Sequence, residues 1–180
     1  QSFPDATLVD RVLTPMPANP VCWNVIAIAL EGDQYALRRA VLSTAPGFIS
    51  AGNCPDQTLE AGTTVPMRQV SGPRSSTVQW LDEYRVDRRE FARVLQAYCD
   101  AALFMHFARA PWIASVRGRW IIGDLRYDRE PELGFAELEL SDPSRACTST
   151  APPWVPPRGE LGRGAFRSRP THPRHLGPNT

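Results

Sequence analysis

The 180-residue sequence contains no lysine, so all 20 of its basic residues are arginine. A guanidinium-specific role at every one of those positions is an unreasonable cause, and codon bias in a GC-rich genome is the simpler one. Nor does any stretch approach the ~20 apolar residues that a membrane-spanning helix needs, and no charged-then-apolar signal opens the chain. The chain as it stands therefore reads as soluble. Cysteine is scarce and scattered: Cys22, Cys54, Cys99 and Cys147 form no CxxC pair, which argues against zinc or redox motifs and against a disulfide-built scaffold. Cys99, with apolar helical neighbours, reads as a buried small hydrophobe, whereas Cys22 and Cys54 can meet if the chain lies in an oxidising compartment. No serine nucleophile elbow, phosphate-cradling glycine loop or Cys/His dyad is present.

The formal net charge is only +1, which gives no general case for nucleic acid or an anionic membrane, and no nucleic-acid partner is expected. Residues 141–180 carry six Arg against Asp142 and Glu160, and eight of the chain's 18 prolines. That composition is expected to be a disordered Pro/Arg-rich tail, with Trp154 as its one docking candidate. A chain opening at Gln1, inside a Pro/Asp-containing segment, is also expected to be a piece of a longer protein.

Hydropathy patterning organises the rest. Residues 1–20, with Pro4, Pro15, Pro17 and Pro20, read as an extended lead-in. Val21–Leu30, a Glu31-Gly32-Asp33 turn and Gln34–Leu42 read as a hairpin, one face of whose second arm is apolar except for Arg39. Residues 43–76 hold turn-forming Pro and Gly and predict a long irregular excursion, and Val78–Tyr84 predicts a short helix. From an N-cap at Asp87, Phe91, Val94, Leu95, Tyr98, Ala102 and Met105 recur at helical steps, predicting one long helix ended by Pro111. Trp112–Val116 and Trp120–Tyr127 predict a second hairpin, followed by a strand near Leu133–Leu140. The expected fold is α+β: a 21–140 domain with an antiparallel sheet of four to five strands, built from two hairpins and packed on one long helix.

Charge alternation within the second hairpin supplies the candidate site. Period two places Asp124, Arg126 and Asp128 on one strand face, and an antiparallel last strand would bring Glu137 beside them. Such a group could bind a cation or hold a partner, because carboxylates are hard ligands and Arg forks anions. Cross-strand ion pairs on a solvated face use the same residues at the same spacing, and that reading has the greater weight. His106 reads as a core or boundary residue, His172 and His175 as incidental tail composition, and Trp23, Trp80, Trp112 and Trp120 as packing residues.

Three segments together carry a family likeness: Asp10–Trp23, Phe107–Trp112, and Gly123–Asp128 with Gly134–Glu137. Over roughly residues 10–158 the chain resembles the C-terminal part of bacterial inner-membrane metal-dependent hydrolases of the YdjM-like family. The resemblance implies an upstream transmembrane region of the same parent that carries the His/Asp metal motif, followed by a soluble extramembrane domain. It assigns no catalytic residue and no cofactor to this chain, leaving any divalent metal in the parent. The alternative expectation is a stand-alone binding module using the charged face, and a third is a hydrolase using that carboxylate cluster with a divalent cation.

Overall fold

The computed structural model describes residues 3, 5–55, 63–70, 72, 75–128, 133–141 and 143, so the expectations for the tail beyond 143, Trp154, His172 and His175 included, lie outside the described residues. Five strands, β1 (Thr7–Met16), β2 (Asn19–Glu31), β3 (Gln34–Ser43), β4 (Arg68–Gln69) and β5 (Val78–Asp87), form an antiparallel sheet in the order β1-β2-β3-β5-β4. The second sheet, in the order β6-β7-β8, holds β6 (Pro111–Val116), β7 (Arg119–Asp124) and β8 (Glu137–Leu140). The expected single sheet is thus two sheets. Both hairpins form as the hydropathy pattern predicts, the second on an Arg117-Gly118 turn with φ values of 52° and 80°, the left-handed pair whose twist suits a two-residue connection.

The lead-in is more ordered than its prolines suggest. Ten of its residues form β1, which lies at a sheet edge, where Pro15 opposite Trp23 removes no hydrogen bond that a further strand would need. The short helix expected at Val78–Tyr84 is instead part of β5. Val78, Trp80, Tyr84 and Val86 recur every second residue, with the series broken by Asp82, which faces Arg39 across the register. Pairing along β3 decides the conformation there, and local propensity does not.

The expected long helix is two helices, α1 (Arg88–Ala97) and α2 (Cys99–Phe104), separated at Tyr98 by an extended backbone with φ −119° and ψ 116°. Asp87 does cap the first, accepting from the Arg89 and Glu90 amides at 2.7 and 3.2 Å. The break falls beside Cys99, which is buried as expected but disulfide-bonded. A covalent tie of that kind leaves no trace in a helical periodicity. Cys22 and Cys54 are also bonded, with Cα atoms 5.8 Å apart, fastening the excursion after β3 to β2.

The two sheets share one apolar core with α1, built from Ile28, Leu37, Phe91, Val94, Trp112 and Ile122. Tyrosines of the large sheet join them. The Tyr84 hydroxyl accepts from the Ile113 amide at 3.0 Å and donates to its carbonyl at 2.8 Å, and the Tyr35 hydroxyl donates to the Pro111 carbonyl at 2.9 Å. These bonds occupy polar groups on a strand that is at the sheet's edge among the described residues. Burial, the leading cause, raises the Tyr84 phenol well above its ordinary range. Among the described residues, no helix is long and apolar enough to cross a membrane.

Candidate functional site

β7 delivers its last residue, Asp124, into the interior, and there the predicted alternation stops. Its carboxylate, 0% exposed, accepts from the backbone amides of Arg109 (2.7 Å), Ala110 (3.2 Å) and Arg126 (3.1 Å). It also accepts from the Arg126 guanidinium, at 2.9 Å from Nε and 2.6 Å from Nη2. Capturing the Arg126 amide curls the chain into a turn, so Asp124, Arg126 and Asp128 do not share a strand face. Arg126 is then held by Asp124, by the Phe107 carbonyl at 3.2 Å, and over the Tyr127 ring at 4.8 Å. Asp124 and Arg126 are structural in this arrangement, tying the α2–β6 connection to the end of β7.

The turn carries Asp128 back into the molecule. Its side chain is only 3% exposed, yet neither carboxylate oxygen has a hydrogen-bond partner. Burial, together with the negative charge of Glu137 and against the pull of Arg39, pushes its pKa up to about 7. Glu137, the first residue of β8, accepts from the Gly134 amide at 2.8 Å through Oε2. Of the four residues predicted for the site, Asp128 and Glu137 are brought close enough to repel, and Asp128 is the one whose carboxylate has no hydrogen-bond partner. Beside Asp128 lies a cavity of about 40 Å³ between the large sheet and the turn, lined by Thr14, Asn24, Arg39, Leu81, Leu125 and Arg126. The sequence contained one pointer to it, the Arg39 that interrupts an apolar strand face.

A second feature went unread. Phe107, Tyr127 and Phe135 stand partly or largely exposed, Phe135 at 87%, with ring centroids 5.9 to 6.2 Å apart in one stacked and two edge-on contacts. Exposed Leu133 lies two residues from Phe135. Phe135 precedes β8 in a glycine-containing turn, so no periodicity assigned it to a core. An aromatic residue within two positions of a carboxylate on both limbs, Tyr127-Asp128 and Phe135-Ala136-Glu137, was the available signal.

Chemically, the arrangement offers a buried acid with no donor, a small polar cavity and an adjoining exposed apolar cluster. It offers no nucleophile with an aligned base, and among the described residues no group of three or more His, Cys, Asp or Glu converges in a way that could hold a metal. No protein-family model matches the chain, and no curated protein or solved structure matches it.

Proposed function

We propose that this chain is an extramembrane domain of a membrane-bound protein of the metal-dependent hydrolase type, with the metal chemistry in an upstream region and docking as the part played here. The observation that carries the reading is the exposed Phe107–Tyr127–Phe135 cluster. Three large rings in mutual contact at the surface form a patch of the kind that marks an interaction site, because leaving them in water forfeits their burial energy. The cluster is built by segments on which the family resemblance rests, Phe107–Trp112, Gly123–Asp128 and Gly134–Glu137. Asp124 and Arg126 support the docking reading by bracing the turn that presents Tyr127.

The disulfides bear on the side of the membrane. Cys22, Cys54 and Cys99 are all oxidised, and such bonds persist in the periplasm and outside the cell but not in a reducing cytosol. The domain then faces the oxidising side of the inner membrane.

A photo-reactive phenylalanine analogue placed at position 135, in the protein produced with all its gene encodes upstream, tests the docking role. Illumination in membranes is expected to join position 135 to the membrane-embedded region of the same polypeptide. The control is position 48, where a lone Phe is 89% exposed, and no such product is expected there. Equal crosslinking at the two positions, or a gene with no membrane-spanning segment upstream, would overturn the proposal.

A further inference from the structure

We propose that the groove between α1 and the β2–β3 turn binds a phosphate-bearing molecule, whose phosphate is held by the side chains of Arg88, Arg89 and Arg93. The inference is independent of the docking role, since none of these residues belongs to the Phe107–Tyr127–Phe135 cluster. The groove offers about 450 Å³, a size that takes small ligands, and the three arginines line it together with Asp33, Tyr35 and Phe91.

Local structure sets its walls. The Arg88 amide donates to the Asp33 carbonyl at 2.8 Å, which pins the start of α1 against the turn. Tyr35 and Phe91, 1% and 3% exposed with ring centroids 5.3 Å apart, form the floor. Arg89 and Arg93 stand four residues apart on the helix, where like charges repel, and cations in a first turn oppose the helix dipole. The helix thus carries an unfavourable arrangement that an anion in the groove relieves.

The guanidinium groups here are also the uncommitted ones. Arg38, Arg39, Arg85, Arg109, Arg119 and Arg126 each reach a carboxylate within 3.1 Å. Around the groove, Arg89 stands 3.9 Å from Asp33 with both side chains largely exposed, and Arg88 reaches only the Gly32 carbonyl, at 3.4 Å. Arg93 meets no carboxylate among the described residues, and among them Asp33 is the one carboxylate on the lining. Of the nearest other acids, Asp87 accepts from the Arg89 and Glu90 amides, and Glu90 lies close enough to Tyr84 to act on its phenol.

The donor set narrows the ligand. A phosphate monoester carries about two negative charges and three strong acceptor oxygens, and planar guanidinium forks take such oxygens in pairs. A lone carboxylate leaves part of the three forks unused. Because Asp87 already caps the amides of α1, side chains and not the helix backbone take the phosphate. The aromatic floor and the space beyond one phosphate suit a compact organic body, as in a soluble phosphate ester or a phospholipid headgroup.

The test titrates the intact, oxidised chain with phenyl phosphate by calorimetry at physiological ionic strength, with sodium acetate as the control anion. In parallel the chain is sedimented with vesicles of phosphatidylcholine alone or in equal parts with phosphatidic acid. Saturable binding of phosphate and none of acetate is expected, at least about tenfold weaker in the double variant Arg89→Gln, Arg93→Gln. Arg11→Gln, at an exposed position on β1, is expected to leave it unchanged. Arg93→Gln alone removes no ion pair of the fold and is expected to weaken binding by a smaller factor, so it decides the matter should the double variant fold poorly. Sedimentation with phosphatidic acid that the double variant loses identifies a headgroup as the source, and calorimetric binding without it identifies a soluble ester. The proposal is overturned if neither phenyl phosphate nor phosphatidic acid binds, if acetate binds as well, or if Arg11→Gln weakens binding as much as the groove variants do.

Discussion

Two regions of the molecule bury charge to the same depth and resolve it in opposite ways. Across the large sheet, Arg38 is 2% exposed, and its guanidinium reaches Glu83 Oε2 at 3.0 Å and Glu31 Oε1. Arg85 takes the other oxygen of each glutamate, Glu31 Oε2 and, at 2.7 Å, Glu83 Oε1, so all four carboxylate oxygens are engaged in a closed ring. At the junction of the two sheets, Asp128 is buried as deeply and receives nothing. A closed polar network rigidifies the fold and asks for no ligand, while an open one is a standing cost that points to something it binds or does. Burial alone would have ranked the two regions equally; the hydrogen-bond partners separate them.

The largest expected effect comes from opening the closed ring. Arg38→Ala removes the most buried of the four charges and leaves Glu31 and Glu83 with Arg85 alone, at a cost of about 3–5 kcal/mol. Urea denaturation reads it as a lower midpoint with an unchanged slope. A loss within ordinary surface scatter would show that water replaces the arginine, and that the ring was never sealed.

Asp124 comes second, because it is the closed counterpart of Asp128 four residues earlier in the chain. Asp124→Ala orphans the amides of Arg109, Ala110 and Arg126 together with one guanidinium, for a loss of about 3 kcal/mol. The same variant releases the turn, so amide exchange at Arg126 and Tyr127 is expected to quicken well before the core of β7 does. Unchanged protection of that turn would mean Asp124 braces the sheet junction without setting the position of Asp128.

How far the sequence discloses this arrangement depends on the range of the interaction that decides each element. The hairpins β2–β3 and β6–β7 are settled by turns and alternation within about 25 residues, and both are legible. β5 is settled by β3, its register running from Gln34 opposite Asp87 to Leu42 opposite Val78, and reads locally as a helix. The helix break at Tyr98 adjoins a disulfide that no periodicity encodes. At the site, residue types were informative and parity was misleading: Asp124, Arg126 and Asp128 look like one face until the Asp124 carboxylate captures the Arg126 amide and turns the chain. The same three letters thus yield a brace, a braced cation and an unsatisfied acid, a division that depends on Phe107, Arg109 and Ala110, far from the run itself.

The smallest expected effect is also the one that separates the two regions by sign. At Glu31, burial raises the pKa, but the ion-paired hydrogen bonds of Arg38 and Arg85 win and hold it below the ordinary carboxylate range. Its contribution is present above that range and is lost as pH falls through the folded value. Asp128 runs the other way: its pKa lies at about 7 in the fold against 3.8 ordinarily, so the folded chain keeps a proton that the unfolded chain releases. Its penalty is absent below about pH 4, accumulates towards pH 7 and is complete above it, on the order of 2 kcal/mol once partial screening is allowed for. Asp128→Asn should therefore match the wild type in acid and exceed it by that margin at about pH 8, while Arg38→Ala blunts the acid limb instead. Denaturation midpoints taken across that pH range check both. If the wild-type and Asp128→Asn curves run parallel, the acid is not held in the protonated form by its surroundings, and the contrast between the closed ring and the open carboxyl loses its energetic basis.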